Sequence, residues 1–187
     1  MPLNIPTLLT LLRIILIPIF VGIFFLPFHG NNLICTALFG LAALTDWLDG
    51  YLARRWNQTS AFGAFLDPVA DKLMVATALV LLVQSIPTPL MAVIAAIIIG
   101  REIAVSALRE WMAQIGNHKR VAVSTIGKYK TTFQMIALLL LLYQEPLGIF
   151  PTLEIGLGLM TLAAMLTLWS MFHYLAVAWP ILKRHRV

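Results

Sequence analysis

Long apolar stretches separated by short turns containing Pro, Gly or Asn recur along this chain from residue 14 to residue 181. A bilayer's hydrocarbon core takes roughly 20 residues of α-helix to cross. Stretches of this kind therefore fix the solvent of the fold before any residue is read for chemistry. The runs are continuous rather than alternating, which argues against a membrane β-barrel. Composition agrees, because 60% of the residues are hydrophobic and 11% are charged, whereas soluble domains carry about 25% charged residues. The expected fold is an all-α integral membrane protein, one domain over residues 1–187.

Taken in order, residues 1–12 read as a short interfacial helix lying on the membrane, with Pro2 and Pro6 near its start. Thr7, Thr10 and Arg13 give it polar positions. Six transmembrane helices are expected at about 14–28, 33–55, 61–83, 90–112, 131–143 and 153–181. Six spans put both termini on one side. All 13 Lys and Arg residues fall on that side or in the membrane half beside it, and the three opposite turns hold none. Basic residues mark the cytoplasmic face, so both termini are expected in the cytoplasm of a bacterial inner membrane. The start of the chain shows no basic segment followed by a small-residue cleavage site, so no removed leader is expected. Cys35 is the only cysteine, which excludes an intrachain disulfide and C-x-x-C metal sites.

Against this background the stretch from Asp46 to Asp71 stands out, because it holds four aspartates. A helix turns about 100° per residue, so Asp46, Asp49, Gly50 and Ala53 share one face. Gly63, Asp67 and Asp71 share one face of the following helix. Folding the two helices into an antiparallel hairpin about the polar turn 54–62 sets Asp46 against Asp71, Asp49 and Gly50 against Asp67, and Ala53 against Gly63. Ionised carboxylates this close in a low dielectric repel one another strongly, so protons or cations must neutralise them. Hard divalent cations prefer oxygen ligands, and a pair of them forms a clamp suited to phosphoryl chemistry. Gly50 and Gly63 leave room for a ligand to approach, and Arg54 is a permanent cation that suits phosphate. Asp46 and Asp71 lie roughly 13 Å in from the cytoplasmic turn at 1.5 Å per residue, a depth from which a lipid phosphate can be reached while acyl chains stay in the bilayer.

The pattern D-x2-D-G-x2-A-R-x8-G-x3-D-x3-D, running from Asp46 to Asp71, resembles the signature of the CDP-alcohol phosphatidyltransferase family at every fixed position. The flanking segments look most like those of bacterial members that form phosphatidylglycerophosphate. The resemblance implies a CDP-diacylglycerol donor whose diphosphate bridges two ions, Mg2+ or Mn2+. Asp46, Asp49 and Asp67 would hold one ion, and Asp46, Asp67 and Asp71 the other. It further implies that Asp71 takes the proton of the acceptor hydroxyl. Gly50, Ala53, Arg54, Ser60 and Gly63 would serve the nucleotide, with Thr10 joining from the N-terminal segment, where relatives carry a similar L-T-x-x-R pattern. Thr7 stands where an Asn is common in the family.

Outside the signature, Arg101 and Arg109 are eight residues apart and point the same way. Intramembrane Arg residues need an anionic partner. Glu102 and Glu110 offer a plain one, and Lys72 and Arg101 could likewise pair with the aspartates. Lys128 and Lys130, in the segment G127-K-Y-K-T131, could instead face anionic lipid. A phosphorylated acceptor such as glycerol 3-phosphate would explain a basic pocket made by Arg101, Arg109, Lys128 and Lys130. Rival readings change the acceptor to inositol phosphate, serine or phosphatidylglycerol, or make the acids a cation or proton path. The far halves of helices two and three are nearly all apolar, which disfavours a path. No nucleic acid partner is expected, and the apolar surface is enough to allow a homodimer.

Overall fold

The computed structural model describes residues 5–56, 61–114 and 125–184. The side chains of Asp49, Gly50, Ala53, Arg54 and Lys128, and Ser60 as a whole, lie outside the described residues. The elements are α1 (Ile5–Phe24), α2 (Asn31–Trp56), α3 (Ala61–Ser85), α4 (Pro89–Gln114), α5 (Thr125–Tyr143) and α6 (Thr152–Arg184). Apart from an isolated bridge between Leu147 and Phe150 in the turn before α6, the described secondary structure is helical.

Three of these helices are long and apolar enough to cross a membrane on length and composition alone, over Thr7–Phe24, Pro89–Met112 and Thr152–Ala176. A shorter apolar helix covers Lys130–Tyr143. Helices α2 and α3 carry the aspartates and their flanking cations, which lowers their apolar character.

Three expectations change. Among the described residues the interfacial segment expected over 1–12 is not a separate helix, because α1 runs unbroken from Ile5 to Phe24. Pro6 falls in its first turn, where a missing N–H costs nothing, and no breaker lies between Thr7 and Ile17. The pair of α2 and α3 also gains a third member. Helix α1 packs on both of them, and among the described residues α2 and α3 meet each other far less than either meets α1. The apolar face of α1 needs burial, and the slot between the two acidic helices supplies it. The fifth helix also begins earlier than expected, at Thr125, so Lys128 and Lys130 lie in its first two turns.

Turn chemistry sets the helix ends. Gly30 adopts φ +90°, a left-handed conformation that suits glycine, just before α2. The Asn31 side-chain amide donates to the carbonyls of Phe24 and Leu26, closing the C-terminus of α1. Thr88 Oγ1 accepts from the Met91 N–H at 3.2 Å, and Pro89 opens α4. This is the preferred arrangement of cap and first residue. The Gln144 amide donates to Ser85 Oγ at 2.9 Å and so ties the end of α5 to the end of α3. Those two helix ends therefore lie at the same end of the bundle.

The apolar core occupies that same end. Phe20, Phe39, Leu79, Leu82, Met91, Ile98, Leu138, Leu141 and Met160 are all buried. Gly156 lets α5 and α6 approach closely, since a Cβ there would stand 2.9 Å from Leu141. The outside is apolar too, with Ile15, Val80, Val93, Ile103, Met165 and Phe172 all more than half exposed. A surface of this kind suits lipid rather than water.

Candidate active site

Arg13 organises the polar end of the bundle. It lies on α1 and is 1% exposed, yet it carries a permanent charge. A buried guanidinium requires anionic partners, and the described residues supply two of them. Its Nη1 donates to Asp46 Oδ1 at 2.7 Å and to Asp67 Oδ1 at 3.3 Å. The two acids belong to α2 and α3, so one nitrogen of α1 brings them side by side. Thr7 and Thr10, about two turns and one turn before Arg13 on the same face, are buried with it. Thr10 thus stands in the α1 interface close to the acids.

Asp46 and Asp67 are themselves 40% and 42% exposed. Arg13 closes them from within, and their other sides are open. Asp46 and Asp71 line one cavity of about 880 Å³ between α2, α3, α4 and α5. This brings together the first and last acids of the signature, as helical spacing predicts. The polar end of the cavity also holds Lys72, Glu102, Ser106, Thr131 and Thr132, while Leu79, Ile98, Ile99 and Leu139 line its deeper, apolar part. The Lys72 ammonium donates to Ser106 Oγ, not to an aspartate. Gly63 lies in the first turn of α3.

The basic cluster is built around Glu102. Arg101 Nη1 donates to Glu102 Oε1 at 2.8 Å, and Lys130 Nζ donates to the same oxygen at 3.3 Å. The Arg101 Nη2 reaches Ser170 Oγ of α6 at 3.3 Å. Its Nε is buried and has no hydrogen-bond partner among the described residues. Arg101 and Arg109 lie 5.9 and 5.7 Å from the Tyr174 ring centroid, which bears out their shared direction. Arg109 also donates to the Tyr174 hydroxyl at 3.4 Å and is more exposed. Glu102 lines the cavity, whereas Arg101 and Lys130 contact it from behind the wall. Two cations share one acid, which leaves a positive excess beside the aspartates.

Among the described residues no three acid, His or Cys side chains stand close enough to hold a metal ion. Asp49 lies outside them. The donors still suit a hard cation, because Asp46, Asp67 and Asp71 offer only carboxylate oxygen and Arg13 engages a single oxygen of each of the first two.

Sequence reasoning gave Arg13 no role, and it passed over Ser106, Ser170 and Tyr174. For Arg13 the signal was present: a charge in an apolar run, three residues after a Thr on the same face. The other three are ordinary helix residues until α4 and α6 are brought together.

Comparison with known proteins extends the likeness over nearly the whole chain. The model of the CDP-alcohol phosphatidyltransferase family matches residues 3–170. A protein of Sodalis glossinidius named "CDP-diacylglycerol--glycerol-3-phosphate 3-phosphatidyltransferase" is 56% identical over 185 residues, 99% of this chain and 100% of its own length. Proteins of the same name from Pectobacterium atrosepticum and Salmonella paratyphi A are 57% and 53% identical, each over 95% of this chain and 96% of their own.

Proposed function

Because this chain belongs to the CDP-alcohol phosphatidyltransferase family, we propose that it transfers the phosphatidyl group of CDP-diacylglycerol to glycerol 3-phosphate, giving phosphatidylglycerophosphate and CMP. The names of its full-length relatives support this acceptor. The observation that carries the reading is the cavity, which joins Asp46 and Asp71 to an apolar recess and adjoins a basic cluster.

In the reaction, an oxygen of the acceptor attacks the phosphorus bonded to diacylglycerol. The bond from that phosphorus to the CMP oxygen breaks, and CMP leaves with the electron pair. Asp71 faces the cavity and takes the hydroxyl proton. Asp46, Asp49, Asp67 and Asp71 would hold Mg2+ or Mn2+, which when bound offsets charge on the attacking and leaving oxygens. Gly63 and the undescribed Gly50, Ala53, Arg54 and Ser60 serve the nucleotide, with Thr10 close to the acids. Arg101 and Lys130 recognise the acceptor phosphate, helped by Lys128 and Arg109. Glu102 holds the two cations in place and keeps the unliganded cluster from accumulating charge.

The protein spans the bacterial inner membrane six times, with both termini and the polar end of the cavity toward the cytoplasm. The basic residues on one side support that orientation. Its apolar surface allows a homodimer.

The test is CMP release by purified protein in detergent given CDP-diacylglycerol and a divalent metal. Glycerol 3-phosphate, serine, inositol phosphate and phosphatidylglycerol are supplied in parallel. Release with glycerol 3-phosphate alone is the expected result. Release with a different acceptor keeps the chemistry and discards the basic cluster as a phosphate site.

A further inference from the structure

The metal reading above assigns the aspartates but leaves open what sets their positions. Asp46 and Asp67 sit on helices that, among the described residues, meet each other far less than either meets α1. Like charges on separate helices push those helices apart, so their approach needs a fixture. Arg13 of α1 contacts both through one nitrogen, at 2.7 and 3.3 Å.

Burial gives this contact a direction. Arg13 is 1% exposed, whereas the two acids are 40% and 42% exposed. The guanidinium therefore stands on the protein side and the carboxylates on the open side. Each acid turns Oδ1 inward to Arg13 and keeps its second oxygen as a donor. Carboxylates that bind metals are commonly oriented this way by a second layer of hydrogen bonds. Helix α1 is wedged against both α2 and α3, so Arg13 rests on a rigid element.

We propose that Arg13 is a positioning residue, which holds Asp46 and Asp67 in register so that their outward oxygens bind a divalent cation together. This inference rests on the metal reading in the previous section. It opposes the simpler view that a neighbouring positive charge only repels the cation. On that view, removing Arg13 would tighten metal binding. If Arg13 positions the acids, its removal weakens binding.

The experiment measures Mn2+ binding to the full chain in detergent, without substrate. Calorimetry supplies the affinity, and the Mn2+-induced rise in unfolding temperature supplies an independent reading. Loss of such an outer partner typically lowers metal affinity about 10–100-fold, and that loss is expected for Arg13→Met. Removing a buried cation leaves two acids facing each other and can prevent folding, so Arg13→Lys is measured as well. Lys keeps the charge but loses the planar fork. Its Mn2+ affinity is expected to fall between those of the wild type and Arg13→Met, roughly 3–10-fold below the former, by the same outer-partner reasoning.

A folded variant of either kind that binds Mn2+ as tightly as the wild type, or more tightly, overturns the positioning role and leaves the metal reading intact. A wild-type protein that binds no Mn2+ overturns both.

Discussion

Asp46 Oδ1 accepts a 2.7 Å hydrogen bond from Nη1 of Arg13, a residue 33 positions earlier on a helix that packs between the two acidic ones. The acid site thus draws on three helices, with α1 added to the two acidic ones that face each other across it. The first helix carries a charge that the acids need, and the acids neutralise a charge that the first helix could not bury alone.

Asp71 opens on the cavity beside Asp46, with no hydrogen bond or ion pair to Arg13 such as Asp46 and Asp67 have. As proton acceptor it should be indispensable to turnover but not to donor binding. Asp71→Asn should lower the rate of CMP release by about 10²–10⁴-fold, the usual value of a positioned base. Binding of CDP-diacylglycerol, followed by calorimetry, should persist. Turnover close to wild type would remove Asp71 from that role.

The all-oxygen donor set predicts a sharp metal dependence. A chelator should abolish CMP release, and added Mg2+ or Mn2+ should restore it. Release that continues after exhaustive chelation would show that the carboxylates act by protonation instead.

Lys130 is 2% exposed and shares the oxygen of Glu102 with Arg101. Hydrogen bonds to charged groups contribute about 1.5–3 kcal/mol, or roughly 10–150-fold in affinity at 1.4 kcal/mol per tenfold. Lys130→Met should raise the KM for glycerol 3-phosphate within that range and change kcat much less. An unchanged KM, with folded protein, would move the acceptor phosphate elsewhere.

Gly156 and Gly158 lie on the same helix in different surroundings. A Cβ at Gly156 meets Leu141 at 2.9 Å and Leu140 at 3.2 Å, whereas one at Gly158 meets nothing within 4 Å. Leu141 is fully buried and has little room to yield. Gly156→Val should destabilise the fold by about 1–3 kcal/mol, the usual cost of overpacking, and Gly158→Val should not. Thermal unfolding in detergent compares the two directly.

Orientation is checked with single cysteines placed in a Cys35→Ala background. A cysteine at Glu145 should react with a membrane-impermeant reagent added outside the cell. A cysteine at Gln114 should react only after the membrane is opened. The reverse pattern would invert the assigned topology.

Much of this protein is decided locally and could be read along the chain. Apolar run length sets the helices, and α2, α3, α4 and α6 fall within a few residues of expectation. The 3.6-residue period places Asp46 and Asp71 toward one cavity and turns Arg101 and Arg109 toward one ring. These features depend only on neighbours within two or three turns. Tertiary structure decided what the helices do to one another. It slid α1 between α2 and α3, assigned Arg13 to two acids, sent Lys72 to Ser106 and bounded the cavity with α2, α3, α4 and α5. Those pairings join residues 33 to 54 positions apart. They are settled by the joint burial of apolar faces and by the need of each buried charge for a partner, neither of which a single helix's sequence can express.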